Sequence, residues 1–194
     1  IGADARDANG ANSGAAYVVF GHAGGFSSSI DLQNLNGSNG FQLTGAKAYD
    51  HAGWSVSSAG DFNGDGIDDL MVGSILVGGP GTYTGAAYVI FGHTGPFTAS
   101  VSLASTATLV GAVQYDLTGF SVSSAGDFNG DGFGDVIVSA PYSDVNGTNS
   151  GSTYVVFGHG GAFPSQIQLS QLSGTDGFAV HGLAGDYAGW SVSS

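Results

Sequence analysis

The sequence predicts an all-β protein made of about three copies of one four-stranded antiparallel sheet. Three observations support this: a composition unfavourable to helices, strand-like segments that recur along the chain, and a loop that recurs between two of them. Gly, Ser, Thr, Asn and Val have low helix propensity, and no segment shows a helical apolar period. Hydrophobic residues make up 42% of the chain, so a core can form despite 36 glycines.

Four kinds of segment recur, with equivalent points 66 to 71 residues apart. A leader, Gly-(Trp/Phe)-Ser-Val-Ser-Ser, begins at residues 53, 119 and 189. A second string, Tyr-Val-(Val/Ile)-Phe-Gly-His, begins at residues 17, 88 and 154. A short accessory segment and a Phe-Gln-Leu-type segment complete the set; they lie at 29–32 and 41–45, at 100–103 and 108–111, and at 166–169 and 178–182.

Together with the Leu-Met-Val segment after the recurring loop, these segments give four main strands and one accessory segment per unit. A four-stranded antiparallel sheet repeated at this long period is typical of β-propeller blades. We therefore interpret residues 1–194 as one array, with approximate units 1–58, 59–124 and 125–194 and with incomplete ends.

The recurring loop has the pattern Asp-x-Asn-Gly-Asp-Gly-x-x-Asp and occurs at residues 61–69 and 127–135. Positions 1, 3, 5 and 9 carry side-chain oxygens, and the carbonyl of position 7 can add another. Glycine at position 6 permits the sharp turn. The predicted metal ligands are Asp61, Asn63, Asp65, Ile67 (carbonyl) and Asp69 in the first loop, and Asp127, Asn129, Asp131, Phe133 (carbonyl) and Asp135 in the second.

This donor set favours Ca²⁺, with one ion in each of the two loops. If one carboxylate is bidentate, the five residues supply the six or more hard oxygens that Ca²⁺ prefers, whereas Mg²⁺ needs a tighter octahedron. The loops contain no Cys or His, which argues against zinc. An EF-hand would need Glu at position 12, where Val72 and Val138 stand. The alternative, a plain Asn-Gly or Asp-Gly turn, is weakened by the recurrence of the whole pattern.

The charge of the chain excludes some partners. The formal net charge is −13, all fifteen acidic residues are Asp, and Arg6 and Lys47 are the basic ones. Two Ca²⁺ ions would bring the total to about −9. Such a surface repels nucleic acids and anionic membranes, and the chain lacks an apolar run long enough to insert into a bilayer. Millimolar Ca²⁺ is available outside cells, and clustered carboxylates would repel one another without it, so an extracellular or cell-surface location is favoured.

Leader and loop together, Gly-(Trp/Phe)-Ser-Val-Ser-Ser-Ala-Gly-Asp-Phe-Asn-Gly-Asp-Gly-x-x-Asp, resemble the FG-GAP repeat of integrin α-subunit propellers. They resemble still more closely the FG-GAP arrays of large secreted bacterial proteins. The Gly-Ala-Pro of that motif is represented only by Ser139-Ala140-Pro141. The resemblance implies a seven-bladed propeller with cations in the blade loops of one face, and roles in adhesion or ligand binding.

Three functions remain open on the sequence. The first is a calcium-binding extracellular module for adhesion or for a protein or glycan ligand. The second is a self-assembling fibre or surface-layer subunit, and the third is an accessory domain of a secreted enzyme. No constellation of titratable residues stands apart from the repeats, so we expect the chain itself not to be an enzyme.

The third leader ends at Ser194, before the position where a third loop would begin. Closed propellers need at least about four blades, so we expect the strand edges at the ends of the array to pair with other copies of the chain or with further repeats. Two copies could form a closed six-bladed ring, whereas an open head-to-tail series would grow into a fibre, because a heterologous contact that does not close propagates. We favour the open series, because the missing third loop makes a regular six-bladed ring awkward.

Overall fold

The structure is a computed structural model that describes residues 1–78 and 83–194. Its regular elements in the described residues are thirteen strands and three 3-10 turns. The strands are β1 (Gly2–Ala3), β2 (Ala15–Val19), β3 (Gly40–Thr44), β4 (Ala52–Gly60), β5 (Asp69–Ser74), β6 (Ala86–Ile90), β7 (Ser100–Ser102), β8 (Ala107–Val110), β9 (Val122–Gly126), β10 (Asp135–Ala140), β11 (Ser152–Val156), β12 (Gln166–Gln168) and β13 (Gly177–His181). The turns are Leu32–Asn34, Leu103–Ser105 and Leu169–Gln171.

These strands form three sheets, which we call blades 1, 2 and 3. Their strand orders are β1-β2-β3-β7, β4-β5-β6-β8-β12 and β9-β10-β11-β13. Within blades 2 and 3, four strands pair antiparallel, which confirms the predicted all-β class with four-stranded blades of propeller type. In the described part of the chain, no helix is long and apolar enough to cross a membrane.

The accessory segments of the second and third units join the preceding blade rather than their own, whereas residues 29–31 of the first unit form no strand. β7 pairs parallel with β3 of blade 1, with Val101 opposite Leu43. In the same way β12 pairs parallel with β8 of blade 2, with Ile167 opposite Leu109. The boundaries of the sheets therefore differ from those of the sequence units, because the second and third units each contribute the outermost strand of the blade before them.

The core lies between the blades, because each sheet packs face to face against the next. One buried cluster joins blade 1 to blade 2 and includes Phe41, Leu43 and Leu103. A second cluster joins blade 2 to blade 3 and includes Phe62 and Val138. β6 is buried along its whole length, because both faces of this inner strand are covered. Its sequence is therefore a continuous apolar run and does not alternate between apolar and polar residues.

Two buried carboxylates, Asp50 and Asp116, lie in the turns before β4 and β9. They are 1% and 3% exposed, and among the described residues one oxygen of each has no hydrogen-bond partner. Burial raises the pKa of each from 3.8 to about 6. The folded state therefore holds these protons more tightly than the unfolded chain. Their contribution to stability is full below pH 3.8 and is lost as the pH rises through about 6.

We therefore expect Asp50→Asn to raise the melting temperature at neutral pH by roughly 2–4 °C, equivalent to about 1 kcal/mol. The substitution removes a buried charge, while the new amide oxygen can still accept the Lys47 N–H, which lies 2.9 Å from the Asp50 carboxylate. The gain should disappear in acid, where the wild-type carboxyl is protonated. Circular dichroism melts over a pH series measure both effects.

Asp186→Asn is the matched control for that substitution. Asp186 holds the corresponding place in the third repeat and accepts the Leu183 N–H at 2.9 Å, but it is exposed. A gain of the same size in Asp186→Asn, or a gain in Asp50→Asn that persists in acid, would contradict the assignment to burial of charge.

Candidate metal centres

The two Asp-rich loops occupy the same place in neighbouring blades. Residues 61–68 connect β4 to β5, and residues 127–134 connect β9 to β10. Gly66 and Gly132, at position 6, have φ of +85° and +93°, and a Cβ at either would meet open space. Their backbone conformation, and not crowding, is therefore what requires glycine there.

In the first loop, the side chains at positions 1, 3 and 5 turn inward onto the backbone of the loop. Both Asp61 Oδ1 and Asn63 Oδ1 accept the N–H of Asp65 at 2.9 Å, and Asp61 Oδ2 accepts the Gly66 N–H at 2.9 Å. Asp65 Oδ1 accepts the N–H of Ile67, also at 2.9 Å. The side-chain oxygens of the first three predicted ligands therefore surround one short stretch of backbone.

The second loop repeats these contacts atom for atom. Asp127 Oδ1 and Asn129 Oδ1 accept the Asp131 N–H at 2.9 and 3.0 Å, and Asp127 Oδ2 accepts the Gly132 N–H at 3.0 Å. Asp131 Oδ1 accepts the Phe133 N–H at 3.0 Å. Two loops with different residues at positions 7 and 8 thus reach the same geometry.

The aspartate at position 9 anchors each loop to the sheet. Asp69 is fully buried; its Oδ2 accepts the Phe62 N–H at 3.0 Å and its Oδ1 accepts the Gly92 N–H at 2.8 Å. Burial raises the pKa of Asp69, and these amide hydrogen bonds oppose that effect. Asp135, also fully buried, accepts the Phe128 and Gly158 N–H groups at 2.8 and 2.9 Å.

Gly92 and Gly158 are supporting residues that the ligand pattern does not predict. They follow β6 and β11, the strands that pair with β5 and β10, so the neighbouring strand helps to fix the carboxylate at position 9. Their signal in the sequence is the recurring Phe-Gly-His. A Cβ on Gly92 would lie 2.5 Å from Asp68 O, and a Cβ on Gly158 would lie 2.2 Å from Gly134 O, so only glycine allows this approach.

The oxygen donors of each loop fit a hard cation when the amide and main-chain carbonyl oxygens are counted together with the carboxylates. Among residues 1–78 and 83–194, no three Asp, Glu, His or Cys side chains converge closely enough to hold a metal ion by themselves. Each loop offers three carboxylates, one amide oxygen and one main-chain carbonyl, all of them oxygen donors. This composition suits Ca²⁺ and offers a softer metal no nitrogen or sulfur ligand.

The first loop also forms part of the contact between blades 2 and 3. Its Gly64 faces the ring of Phe133, and a Cβ there would lie 2.2 Å from Phe133 Cε1. The N–H of Gly134 donates to Asp61 O at 2.8 Å, and the N–H of His159 donates to Phe62 O at 3.1 Å. The geometry of the first loop is therefore coupled to the packing of the next blade.

The FG-GAP repeat family matches residues 52–90 and 118–156, which span both loops and the strands around them. Among curated proteins, integrin α-PS2 of Drosophila melanogaster is 32% identical over 79% of this chain, and integrin α-5 of Xenopus laevis is 30% identical over 79%. Phosphatidylinositol-glycan-specific phospholipase D of Bos taurus is 29% identical over 88% of this chain. The matched regions cover 12%, 14% and 21% of those relatives.

Proposed function

Because the chain carries FG-GAP repeats of the kind found in integrin α-subunits, we propose that it is a calcium-binding, non-catalytic module of an extracellular protein, serving adhesion or ligand binding. The observation that carries the proposal is the pair of loops whose predicted ligands make the same internal hydrogen bonds in two blades. A turn that binds no cation needs only the glycines and one Asx contact. The additional oxygen-bearing residues, present in both loops, therefore support a cation site in each.

In the proposed sites, Asp61, Asn63, Asp65, the carbonyl of Ile67 and Asp69 would hold the first Ca²⁺ ion. Asp127, Asn129, Asp131, the carbonyl of Phe133 and Asp135 would hold the second. A bound ion supplies positive charge that offsets the repulsion between the three carboxylates of a loop. Its role here is structural, because the ion would tie the β4–β5 and β9–β10 connections into fixed turns.

A ligand surface is supported by a row of aromatic side chains that crosses the three repeats. The rings of Trp54 and Phe120 are 5.6 Å apart, and those of Phe120 and Trp190 are 4.9 Å apart. Trp54 and Trp190 are nevertheless 43% and 54% exposed. Exposed aromatic rings held by their neighbours are well suited to contact a protein or a glycan. We propose an extracellular or cell-surface location, where Ca²⁺ is plentiful.

Surfaces coated with the chain should retain cells or extracellular matrix proteins in the presence of Ca²⁺ and should release them in EDTA. A coat of the double variant Asp65→Ala, Asp131→Ala should retain less at the same Ca²⁺ concentration, because each loop has lost a ligand. The matched control is Asp68→Ala, which removes an exposed carboxylate from position 8 of the first loop. Retention that is equal in Ca²⁺ and EDTA would contradict a calcium-dependent adhesion function.

An accessory role in a secreted enzyme is the second candidate function. It is favoured by the similarity to phosphatidylinositol-glycan-specific phospholipase D, which extends over 88% of this chain. In that case the catalytic residues would belong to another part of the protein. The loop carboxylates and the His of Phe-Gly-His recur from repeat to repeat, whereas an active site breaks repeat symmetry.

A further inference from the structure

We propose that the two calcium sites are energetically coupled, and that Phe133 and Gly134 of the second loop position the ligands of the first. This inference deepens the proposed function and rests on it, because it concerns how the two proposed Ca²⁺ ions act on each other. Phe133 then has two roles. Its carbonyl is a predicted ligand of the second ion, and its side chain supports the loop that would hold the first.

The first link between the loops is a backbone hydrogen bond. The N–H of Gly134, at position 8 of the second loop, donates to the carbonyl of Asp61 at 2.8 Å. Asp61 is position 1 of the first loop, and its carboxylate is one of the predicted ligands there. A Cβ on Gly134 would lie 3.0 Å from both Asp61 N and Ala59 O, so the two backbones are in close contact. A shift of Gly134 would therefore move a ligand-bearing residue of the first site.

The second link is the aromatic ring of Phe133, which packs on the backbone of the first loop. A Cβ on Gly64, at position 4, would lie 2.2 Å and 2.5 Å from Cε1 and Cδ1 of that ring. Gly64 stands between two predicted ligands, Asn63 and Asp65. The carbonyl and the ring belong to the same residue. A cation that fixes the Phe133 carbonyl therefore also restricts the ring against the first loop.

The third link joins the buried carboxylates at position 9 of the two loops. Oδ1 of Asp135 accepts the N–H of Gly158 at 2.9 Å. The next residue, His159, donates its N–H to Phe62 O at 3.1 Å. The N–H of Phe62 donates to Asp69 Oδ2 at 3.0 Å. These three hydrogen bonds connect the two carboxylates through the segment that follows β11.

The three links give a physical reason for positive coupling. Without a cation, the three carboxylates of the second loop repel one another, so that loop holds its contacts with the first loop less firmly. A cation in the second loop favours the conformation in which all three links are formed. The first loop is then closer to its binding conformation before its own ion arrives. Such coupling is reciprocal, so an ion in the first loop favours binding at the second.

A titration of the metal-free chain with Ca²⁺, followed by NMR, resolves the two sites. The N–H groups of Gly66 and Gly132 donate to the position-1 carboxylates of their own loops at 2.9 and 3.0 Å, so each amide signal reports one site. Asp131→Asn weakens the second site and should raise the midpoint Ca²⁺ concentration of the Gly66 signal. Asp65→Asn weakens the first site and should raise the midpoint of the Gly132 signal.

The asparagine variants separate the effect of the ion from that of the loop's own hydrogen bonds. Each keeps a side-chain oxygen that can accept the N–H of Phe133 or Ile67, as the aspartate does. The ion that binds second shows the full coupling. The larger of the two midpoint shifts should therefore be about threefold to tenfold, since one hydrogen bond and one ring contact depend directly on both loops.

Phe133→Ala tests the positioning role of the ring. The substitution keeps the main-chain carbonyl, so both glycine signals should still respond to Ca²⁺. In this background, Asp131→Asn and Asp65→Asn should each shift the midpoint of the intact site by less than about twofold, because the ring contact is already absent. Phe128→Ala is the matched control. It removes a ring from the same loop, but that ring packs on Phe178 of its own blade at 5.6 Å, so the full shifts should remain.

The outcomes separate the coupling from the calcium proposal. If both sites of the wild-type chain fill, but neither asparagine variant shifts the midpoint of the other site, the coupling is overturned and the calcium proposal stands. Full shifts in the Phe133→Ala background would overturn the role of the Phe133 ring. Glycine signals that do not respond to Ca²⁺ in the wild-type chain would contradict both proposals.

Discussion

Removal of Ca²⁺ with EDTA is expected to lower the melting temperature of the chain by about 10–20 °C. At free Ca²⁺ a hundredfold above the dissociation constant, each site stabilises the folded state by about 2.7 kcal/mol, and two independent sites contribute about twice that. For a chain of this size, 1 kcal/mol corresponds to roughly 2–4 °C. Three carboxylates in each loop would repel one another once the ion leaves, which adds to the loss.

Variants with a ligand removed from one loop should each lose part of the Ca²⁺-dependent rise in melting temperature. Asp65→Ala should abolish about half of the Ca²⁺-dependent rise in melting temperature, and Asp131→Ala should abolish a similar share, because the two loops share one set of contacts. Asp68→Ala should keep the full response. Differential scanning calorimetry with and without EDTA measures all four chains, and a wild-type melting curve that EDTA leaves unchanged would contradict a structural role for Ca²⁺.

Phe62→Ala should destabilise the chain by about 3–5 kcal/mol, the usual cost of deleting a buried aromatic ring. Phe62 is 0% exposed and stacks on Phe163 at 4.8 Å in the contact between blades 2 and 3. The cavity would also loosen the first Asp-rich loop, because the Phe62 N–H is bonded to Asp69. Chemical denaturation at saturating Ca²⁺ measures the loss.

Phe128→Ala is a matched control for this prediction. Phe128 follows the first aspartate of the second loop, as Phe62 does in the first, but it is 60% exposed. In dilute solution its removal should change the free energy of unfolding by about 0.5 kcal/mol or less, as for most exposed positions. Equal losses in the two variants would show that the contact between blades 2 and 3 is not the source of the effect.

The contrast between Phe62 and Phe128 also marks what the sequence could predict. The two residues stand in the same local sequence, Gly-Asp-Phe-Asn-Gly-Asp-Gly, and the loops around them have the same hydrogen bonds. Local geometry follows from local sequence, because glycine conformation and Asx contacts are decided within a few residues. The burial of Phe62 and Phe128 differs because it depends on which other segments pack against each ring. The local sequence around the two residues does not contain that information.

Strand pairing was likewise only partly predictable from the sequence. The strands themselves were predictable from β-branched and aromatic runs, and the order of the four main strands follows the chain. The pairing of β7 with β3 and of β12 with β8 was not predictable, since a three-residue strand has too few side chains to specify an edge in another sheet. The supporting role of Gly92 was missed for a similar reason, because it lies 23 residues beyond Asp69.

The most direct test of the calcium account is a titration of the metal-free chain with Ca²⁺ by isothermal calorimetry, at fixed pH and ionic strength. The proposal predicts two ions for each wild-type chain, one ion for Asp65→Ala and for Asp131→Ala, none for the double variant, and two for Asp68→Ala. A wild-type chain that binds no Ca²⁺, or an Asp68→Ala chain that loses as much binding as Asp65→Ala, would contradict it.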